Sequence, residues 1–175
     1  MASPRKLFVI WSGPKHSGKS TSASKLVERV TEKGFTTSGL LAESFYQGEQ
    51  LLGFNAVDII TGKRTRLAER TQGRFFFTDK GLELGKEALS QDSTRSADLI
   101  IIDEFGPLEL SGSGWRNQVD MLMASDQGLL LVVVRRELVE EVTKAYAPIK
   151  ARVLDAAKTA SIDAVLEILD KQVSM

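Results

Sequence analysis

Gly13-Pro14-Lys15-His16-Ser17-Gly18-Lys19-Ser20 fits G-x-x-x-x-G-K-[ST], the Walker A or P-loop spacing. The apolar run Leu7-Phe8-Val9-Ile10-Trp11 precedes it and has the length of a buried strand. After it, Ala23, Leu26, Val27 and Val30 recur at i, i+3, i+4 and i+7, while Lys25, Glu28, Arg29, Glu32 and Lys33 lie off that face, the pattern of an amphipathic helix. Strand, glycine-rich turn and helix together are the context in which this spacing means phosphate. Gly13 and Gly18 lack a Cβ, so the backbone can curl with its N–H groups pointing inward. The first helical turn adds unpaired N–H groups and the positive end of the helix dipole. Gly13, Pro14, Lys15, His16, Ser17, Gly18, Lys19, Ser20 and Thr21 are therefore the expected nucleotide-binding residues. Lys19 supplies a point charge for the outer phosphates, Ser20 offers a hydroxyl to Mg²⁺, and Thr21 is placed to reach an inner phosphate. The simpler alternative is a glycine turn that caps a helix. His16 sits at a variable loop position and is read as solvent-facing, because phosphoryl transfer depends chiefly on positioning and electrostatics.

A second motif is Leu99-Ile100-Ile101-Ile102-Asp103-Glu104. Four apolar residues bury a strand, and Asp103 then emerges at its carboxyl end, the edge where open α/β sheets bind ligands. Asp103 is the expected Mg²⁺ ligand, through water, since Mg²⁺ takes few carboxylates and keeps several waters. Glu104 is the candidate for orienting or deprotonating a water aimed at a γ-phosphate. Alone, an apolar strand ending in acids is a common core feature; the upstream glycine loop favours the functional reading.

The rest of the chain excludes several function classes. The 175 residues suffice for one domain with a proper core, and a single domain over 1–175 is expected. Lys+Arg and Asp+Glu number 23 each, which argues against a general nucleic-acid or acidic-membrane binder. There is no Cys and one His, so disulfides, thiolate metal sites and histidine-rich metal clusters are excluded. The apolar run after Arg5-Lys6 is too short for a signal peptide and no segment is long enough to span a membrane. A cytoplasmic location is expected.

Gly34 stands where a C-cap glycine would end the first helix. Strands are expected over 37–46 and 51–60, the second turning at Thr61-Gly62 and returning through 63–67. Strands joined so tightly are antiparallel, so residues 47–72 form an antiparallel hairpin insertion beside a parallel sheet. Phe75-Phe76-Phe77 is a candidate short strand, and Thr78 or Asp79 caps a helix running to about residue 91, weakened by Gly85. A helix over 113–125, a buried strand over 129–134, a helix over 137–146 ending before Pro148, a strand over 152–154 and a helix over 161–172 complete the chain. Strands alternating with helices predict an α/β fold with a mostly parallel central sheet flanked by helices.

Gly13 to Ser20, together with Asp103-Glu104-Phe105-Gly106-Pro107-Leu108-Glu109-Leu110, resembles the THEP-type nucleoside-triphosphatases. These are small P-loop proteins whose Walker B strand runs on into D-E-[apolar]-G-[P/K]-[apolar]-E-L. The resemblance runs from residue 6 to about 145 and includes G-F-x-x-x-D-x-x-x-G-x-x-x-x-L-A, here Gly53-Phe54, Asp58, Gly62 and Leu67-Ala68. It implies a P-loop NTPase fold and Mg²⁺-dependent hydrolysis of nucleoside 5′-triphosphates (ATP, GTP and others), usually with loose base preference. It also implies that Lys19, Ser20, Asp103 and Glu104 act as argued above. Glu109 belongs to the family pattern, and a supporting or structural role rather than direct catalysis is expected of it. The family usually carries an Asn-Arg pair just after the last strand, near the base; this chain has Leu154-Asp155-Ala156-Ala157-Lys158 there.

Arg135 and Arg136 end the long apolar strand on the same edge as the glycine loop. Arg136, ahead of Arg135, is the candidate for neutralising the transferring phosphoryl group; a solvated strand end or an ion pair with Glu140 is the alternative. Lys63, Arg64 and Arg66 are read as a charge-defended edge strand, with a phosphate lid as the alternative. Trp11 is expected to pack at the strand end, and Trp115 to be partly exposed on its helix. Two other functions fit the same motifs. One is a small nucleotide or metabolite kinase, for which no acceptor motif is legible. The other is a nucleotide-gated accessory protein with little turnover of its own, needing a protein partner. A monomer or weak homo-oligomer is expected, and no N-K-x-D guanine-reading motif is present.

Overall fold

The computed structural model describes residues 6–14 and 18–175; the expectations for Lys15, His16 and Ser17 lie outside the described residues. In chain order the elements are β1 (Phe8–Gly13), α1 (Lys19–Glu32), β2 (Thr37–Gln47), β3 (Gln50–Asp58), β4 (Arg64–Thr71), β5 (Arg74–Phe77), α2 (Asp79–Ala88), α3 (Gln91–Thr94), β6 (Leu99–Ile102), α4 (Pro107–Leu110), α5 (Arg116–Ala124), β7 (Leu129–Arg135), α6 (Val139–Ala145), β8 (Ala151–Asp155) and α7 (Thr159–Val173). The strands form one sheet in the order β5-β4-β3-β2-β6-β7-β1-β8. Strands β2, β6, β7, β1 and β8 run parallel, while β3, β4 and β5 extend the sheet as an antiparallel wing.

Side chains alternate across a strand, so each central strand feeds two cores. Val9 and Trp11 of β1, Leu99 and Ile101 of β6, and Leu129, Leu131 and Val133 of β7 meet Ala23, Leu26 and Val30 of α1 and Val165, Leu166 and Leu169 of α7. Phe8, Ile10, Ile100, Ile102, Leu130, Val132 and Val134 meet Leu84 and Ala88 of α2, Val119, Leu122 and Met123 of α5, and Val142 of α6. Each fully buried aliphatic side chain contributes about 1.5–3 kcal/mol. This two-sided burial is why β6 and β7 read as unbroken apolar runs. Among the described residues no helix is long and apolar enough to cross a membrane.

The antiparallel insertion and the candidate strand at Phe75-Phe76-Phe77 are both present: residues 50–77 supply three strands, the last of them β5. The expected edge position of the basic strand is corrected: β4 lies inside the wing, and β5 is the edge. Trp115 is not exposed: it is buried, with its indole N–H donating to the Leu82 carbonyl at 3.3 Å. The helix that Gly85 seemed to weaken depends on that glycine. A Cβ there would stand 2.3 Å from the Trp115 Nε1, so the small residue lets α2 close onto the indole. Thr78 caps α2 by accepting the Gly81 N–H at 3.0 Å, and the helix stops at Ala88, before the predicted residue 91.

Candidate nucleotide site

In a parallel sheet all carboxyl ends lie on one edge, and loops there carry the chemistry. Here β1 ends in the glycine loop, β6 in Asp103, β7 in Arg135 and β8 in Asp155. Strand β7 lies between β1 and β6, so Arg135 emerges between the two motifs. Sequence order alone gave no such neighbourhood, since 83 residues separate Ser20 from Asp103.

Gly18 adopts φ +76°, a left-handed conformation that costs glycine little, and serves as the N-cap of α1. Its carbonyl accepts the Ser22 N–H at 2.9 Å, opening the helix immediately after the loop. Trp11 is fully buried, as expected, and its indole N–H donates to Ser22 Oγ at 2.8 Å. That bond ties the strand before the loop to the helix after it. The Lys19 ammonium donates to the Pro14 carbonyl at 2.7 Å. Burial lowers the Lys19 pKa, Glu104 acts against that shift, and Arg135 adds to it. Thr21 is exposed on the first turn of α1.

Ser20 Oγ donates to Asp103 Oδ1 at 3.1 Å, and the Ala42 backbone N–H donates to Oδ2 at 2.9 Å. Asp103 is buried to 1% exposure. Burial pushes its carboxyl up to about 7, and the neighbouring Glu104 charge adds to the shift; the Ala42 N–H, the Ser20 hydroxyl and Lys19 act against it. The contact from Ala42 on β2 was invisible in the sequence, because nothing local to residue 42 pairs it with residue 103.

Glu104 has φ +78°, a conformation that costs a non-glycine residue about 1–3 kcal/mol. The surroundings impose it. The Asp103 N–H is bonded to the Leu40 carbonyl and the Phe105 N–H to the Val133 carbonyl, each at 2.9 Å. With both neighbours tied to the flanking strands, Glu104 is turned out of the sheet edge and its side chain is 47% exposed. Arg135 Nε lies 3.9 Å from Glu104 Oε1, and Arg135 Nη1 lies 3.9 Å from Glu137.

Glu109 is buried, and its Oε2 accepts the Gly106 N–H at 3.0 Å, closing the N-terminus of α4. Burial raises its pKa, opposed by the backbone N–H groups around it. Glu109 thus braces the loop that carries Glu104. Arg116 donates to the Glu109 carbonyl at 3.3 Å and to Asp120 at 2.8 Å, and the Tyr146 hydroxyl joins the same Asp120 at 2.9 Å.

The structure thus gathers Lys19, Ser20, Asp103, Glu104 and Arg135. Arg136 lines a cavity of about 350 Å³ with Ser12, Val139, Val153, Leu154 and Asp155. Of the two arginines, Arg135 is the one that pairs with Glu104, whereas the sequence put Arg136 ahead. Strand geometry explains it: Arg135 is the last residue of β7, paired with Gly13, and Arg136 begins a new turn. Two of the basic residues of the wing, Arg64 and Arg66, are occupied locally. Arg64 clasps Glu43 through two bonds of 3.0 and 3.1 Å, and Arg66 lies 3.6 Å over the Phe45 ring.

A Mg²⁺ ion needs hard oxygen donors, few of them carboxylate. The Ser20 hydroxyl and the adjacent Asp103 carboxylate meet that demand. One hydroxyl and one carboxylate suit an ion that keeps several waters and takes phosphate oxygens.

Comparison with known proteins agrees with this fold. The family model described as NTPase matches residues 8–169. The nucleoside-triphosphatase THEP1 of Methanothermobacter thermautotrophicus is 33% identical over 146 residues, covering 78% of this chain and 80% of the relative. The crystal structure of THEP1 from Aquifex aeolicus superposes with a TM-score of 0.73 at 21% identity, covering 93% of this chain and 99% of that one. The solution structure of a human cancer-related nucleoside triphosphatase gives 0.70 at 21%, covering 96% and 98%. With the family model spanning nearly the whole sequence and the THEP1 relative sharing a third of its residues over most of its length, this chain belongs to the NTPase family.

Proposed function

We propose that this protein hydrolyses nucleoside 5′-triphosphates, ATP and GTP among them, to the diphosphate and orthophosphate with Mg²⁺, as one domain. The observation that carries the reading is the meeting at one sheet edge of the Ser20–Asp103 contact, 3.1 Å long, and a Glu104 turned out beside Lys19 and Arg135. The glycine loop and the first turn of α1 hold the phosphates through backbone N–H groups. Ser20 and Asp103 would hold Mg²⁺, which when bound neutralises phosphate charge and polarises the phosphoryl oxygens. Glu104 accepts a proton from water as the water oxygen bonds to the γ-phosphorus and the bond to the β–γ bridging oxygen breaks. Lys19 leaves its contact with the Pro14 carbonyl to meet the outer phosphates, and its ammonium together with the Arg135 guanidinium offsets the charge that develops on them. The diphosphate leaves with the electron pair of the broken bond.

Phosphate release from a panel of triphosphates, with and without Mg²⁺, tests this on three proteins. Wild type turns over only with the ion. Lys19→Ala loses binding or turnover. Glu104→Gln keeps nucleotide binding and loses turnover by roughly 10²-fold or more, the scale of general-base contributions. Undiminished hydrolysis by Glu104→Gln would reject the role given to Glu104.

A further inference from the structure

The cavity that holds Arg136 lies beside the glycine loop. Its floor is Ser12, one residue before Gly13, and its outer wall is the end of β8, where Asp155 pairs directly with Ser12. At about 350 Å³ it falls within the range of small-ligand pockets, roughly 300–1,000 Å³. Val139, Val153 and Leu154 supply apolar walls. Arg136 supplies a planar cation, which stacks on aromatic faces. Asp155 supplies an acceptor-only carboxylate. A flat heteroaromatic ring with hydrogen-bond donors on one edge satisfies all three.

Resting on the nucleotide reading above, we infer that this cavity takes the nucleobase, and that Asp155 makes the site selective for guanine. Asp155 is held in place before any ligand arrives. Its Oδ1 accepts the Ala157 N–H at 2.9 Å, and its carbonyl accepts the Lys158 N–H at 3.1 Å and the Ser161 hydroxyl at 2.6 Å. The Ala156 N–H donates to the Ser12 carbonyl at 2.8 Å, fastening the turn to the strand that leads into the glycine loop. Among the described residues Oδ2 has no hydrogen bond, which leaves it for a ligand. Ion pairing at this edge falls to Arg135, with Glu104 and Glu137; among the described residues Arg136 and Asp155 are in none.

The selectivity follows from the donor pattern of the bases. Guanine presents N1–H and N2–H₂ side by side, two donors for one carboxylate. Adenine presents N6–H₂ beside the N1 lone pair, and cytosine N4–H₂ beside the N3 lone pair, so a carboxylate gains one bond and meets one repulsion. Uracil flanks its N3–H with two carbonyl oxygens. Hypoxanthine keeps N1–H and lacks the amine. A hydrogen bond to a charged group contributes about 1.5–3 kcal/mol, which is roughly 10- to 150-fold.

Steady-state kcat/KM for GTP, ITP and ATP, on wild type and Asp155→Asn, reads this out. The expected order is GTP, then ITP, then ATP, with GTP ahead of ATP by roughly tenfold or more. Asparagine keeps the Oδ1 acceptor for Ala157 and replaces Oδ2 with a donor, so the GTP-to-ATP ratio falls toward parity. A melting curve checks that the variant folds, and the wild-type ranking stands whether or not it does. Equal values for GTP and ATP, a preference for ATP, or a ratio unmoved in a folded Asp155→Asn would overturn the guanine assignment while leaving the hydrolase reading intact. Should no triphosphate be hydrolysed, the hydrolase reading fails. The inference is then decided by equilibrium binding of N-methylanthraniloyl GDP against the ADP analogue: tighter GDP supports it, while equal binding or none sinks it.

Discussion

Asp103 is the residue in which burial and function pull hardest against each other. A carboxylate with an ordinary pKa near 3.9 is held at about 7 by its removal from water. The folded protein therefore binds this proton more tightly than the unfolded chain. The proton's contribution to stability is fully present below pH 4 and is lost as pH rises from about 4 through 7, a change of roughly 4 kcal/mol for the isolated group. The same proton competes with a divalent cation. Mg²⁺ affinity should rise about tenfold per pH unit up to pH 7 and level off above it, measured by Mg²⁺ titration in the presence of nucleotide between pH 5.5 and 8.5. Asp103→Asn should abolish the step and, without ligand at pH 8, melt higher than wild type. A step that survives in Asp103→Asn would assign it to another group.

Among the elements, the short helix α4 and its brace decide where Glu104 points. Glu109 caps that helix from inside, leaving the Gly106 N–H without a partner if the carboxylate is removed. Orphaning a buried donor costs about 1–3 kcal/mol. Glu109→Ala should lower the melting temperature accordingly and reduce kcat more than it raises KM, because the loop carrying Glu104 loses its anchor. Glu109→Gln keeps an acceptor oxygen and should restore most of both. A fall in stability with unchanged kcat in Glu109→Ala would make the brace purely structural. The pairing of α2 with Trp115 shows the same logic from the packing side: a glycine that weakens a helix in isolation is what lets that helix meet a large ring.

For the molecule as a whole, the site is assembled from four strand ends drawn from residues 8 to 155, so ligand binding and folding are coupled. A ligand at about 100 times its dissociation constant stabilises by about 2.7 kcal/mol, and a chain of this size shifts by roughly 2–4 °C per kcal/mol. Mg²⁺ with a nucleoside diphosphate should raise the melting temperature by roughly 5–10 °C in a thermal-shift assay. Lys19→Ala should show little of that rise. An equal rise in both proteins would place binding elsewhere.

The local order of the chain was legible without coordinates. The glycine loop, the apolar period of α1 and the buried runs of β6 and β7 are each written in contiguous residues, and a P-loop needs only its neighbours to be recognised. What the sequence hid was lateral. Trp115 could not be read as buried, because the groove that receives it is made by Gly85 thirty residues away. The choice between Arg135 and Arg136 turned on β7 lying between β1 and β6, and strand order is decided by packing, not by spacing along the chain. The strand at Phe75-Phe76-Phe77 was legible as a candidate, but its place at the edge, outside the basic strand β4, was decided by pairing. The sequence by itself determined which groups can meet phosphate and metal, since that chemistry resides in residue types at fixed short spacing. Only the tertiary structure decided that Ala42 and Ser20 share Asp103, that Glu104 is forced outward, and that Asp155 closes a pocket against Ser12, because each of these contacts joins residues that only the folded sheet brings side by side.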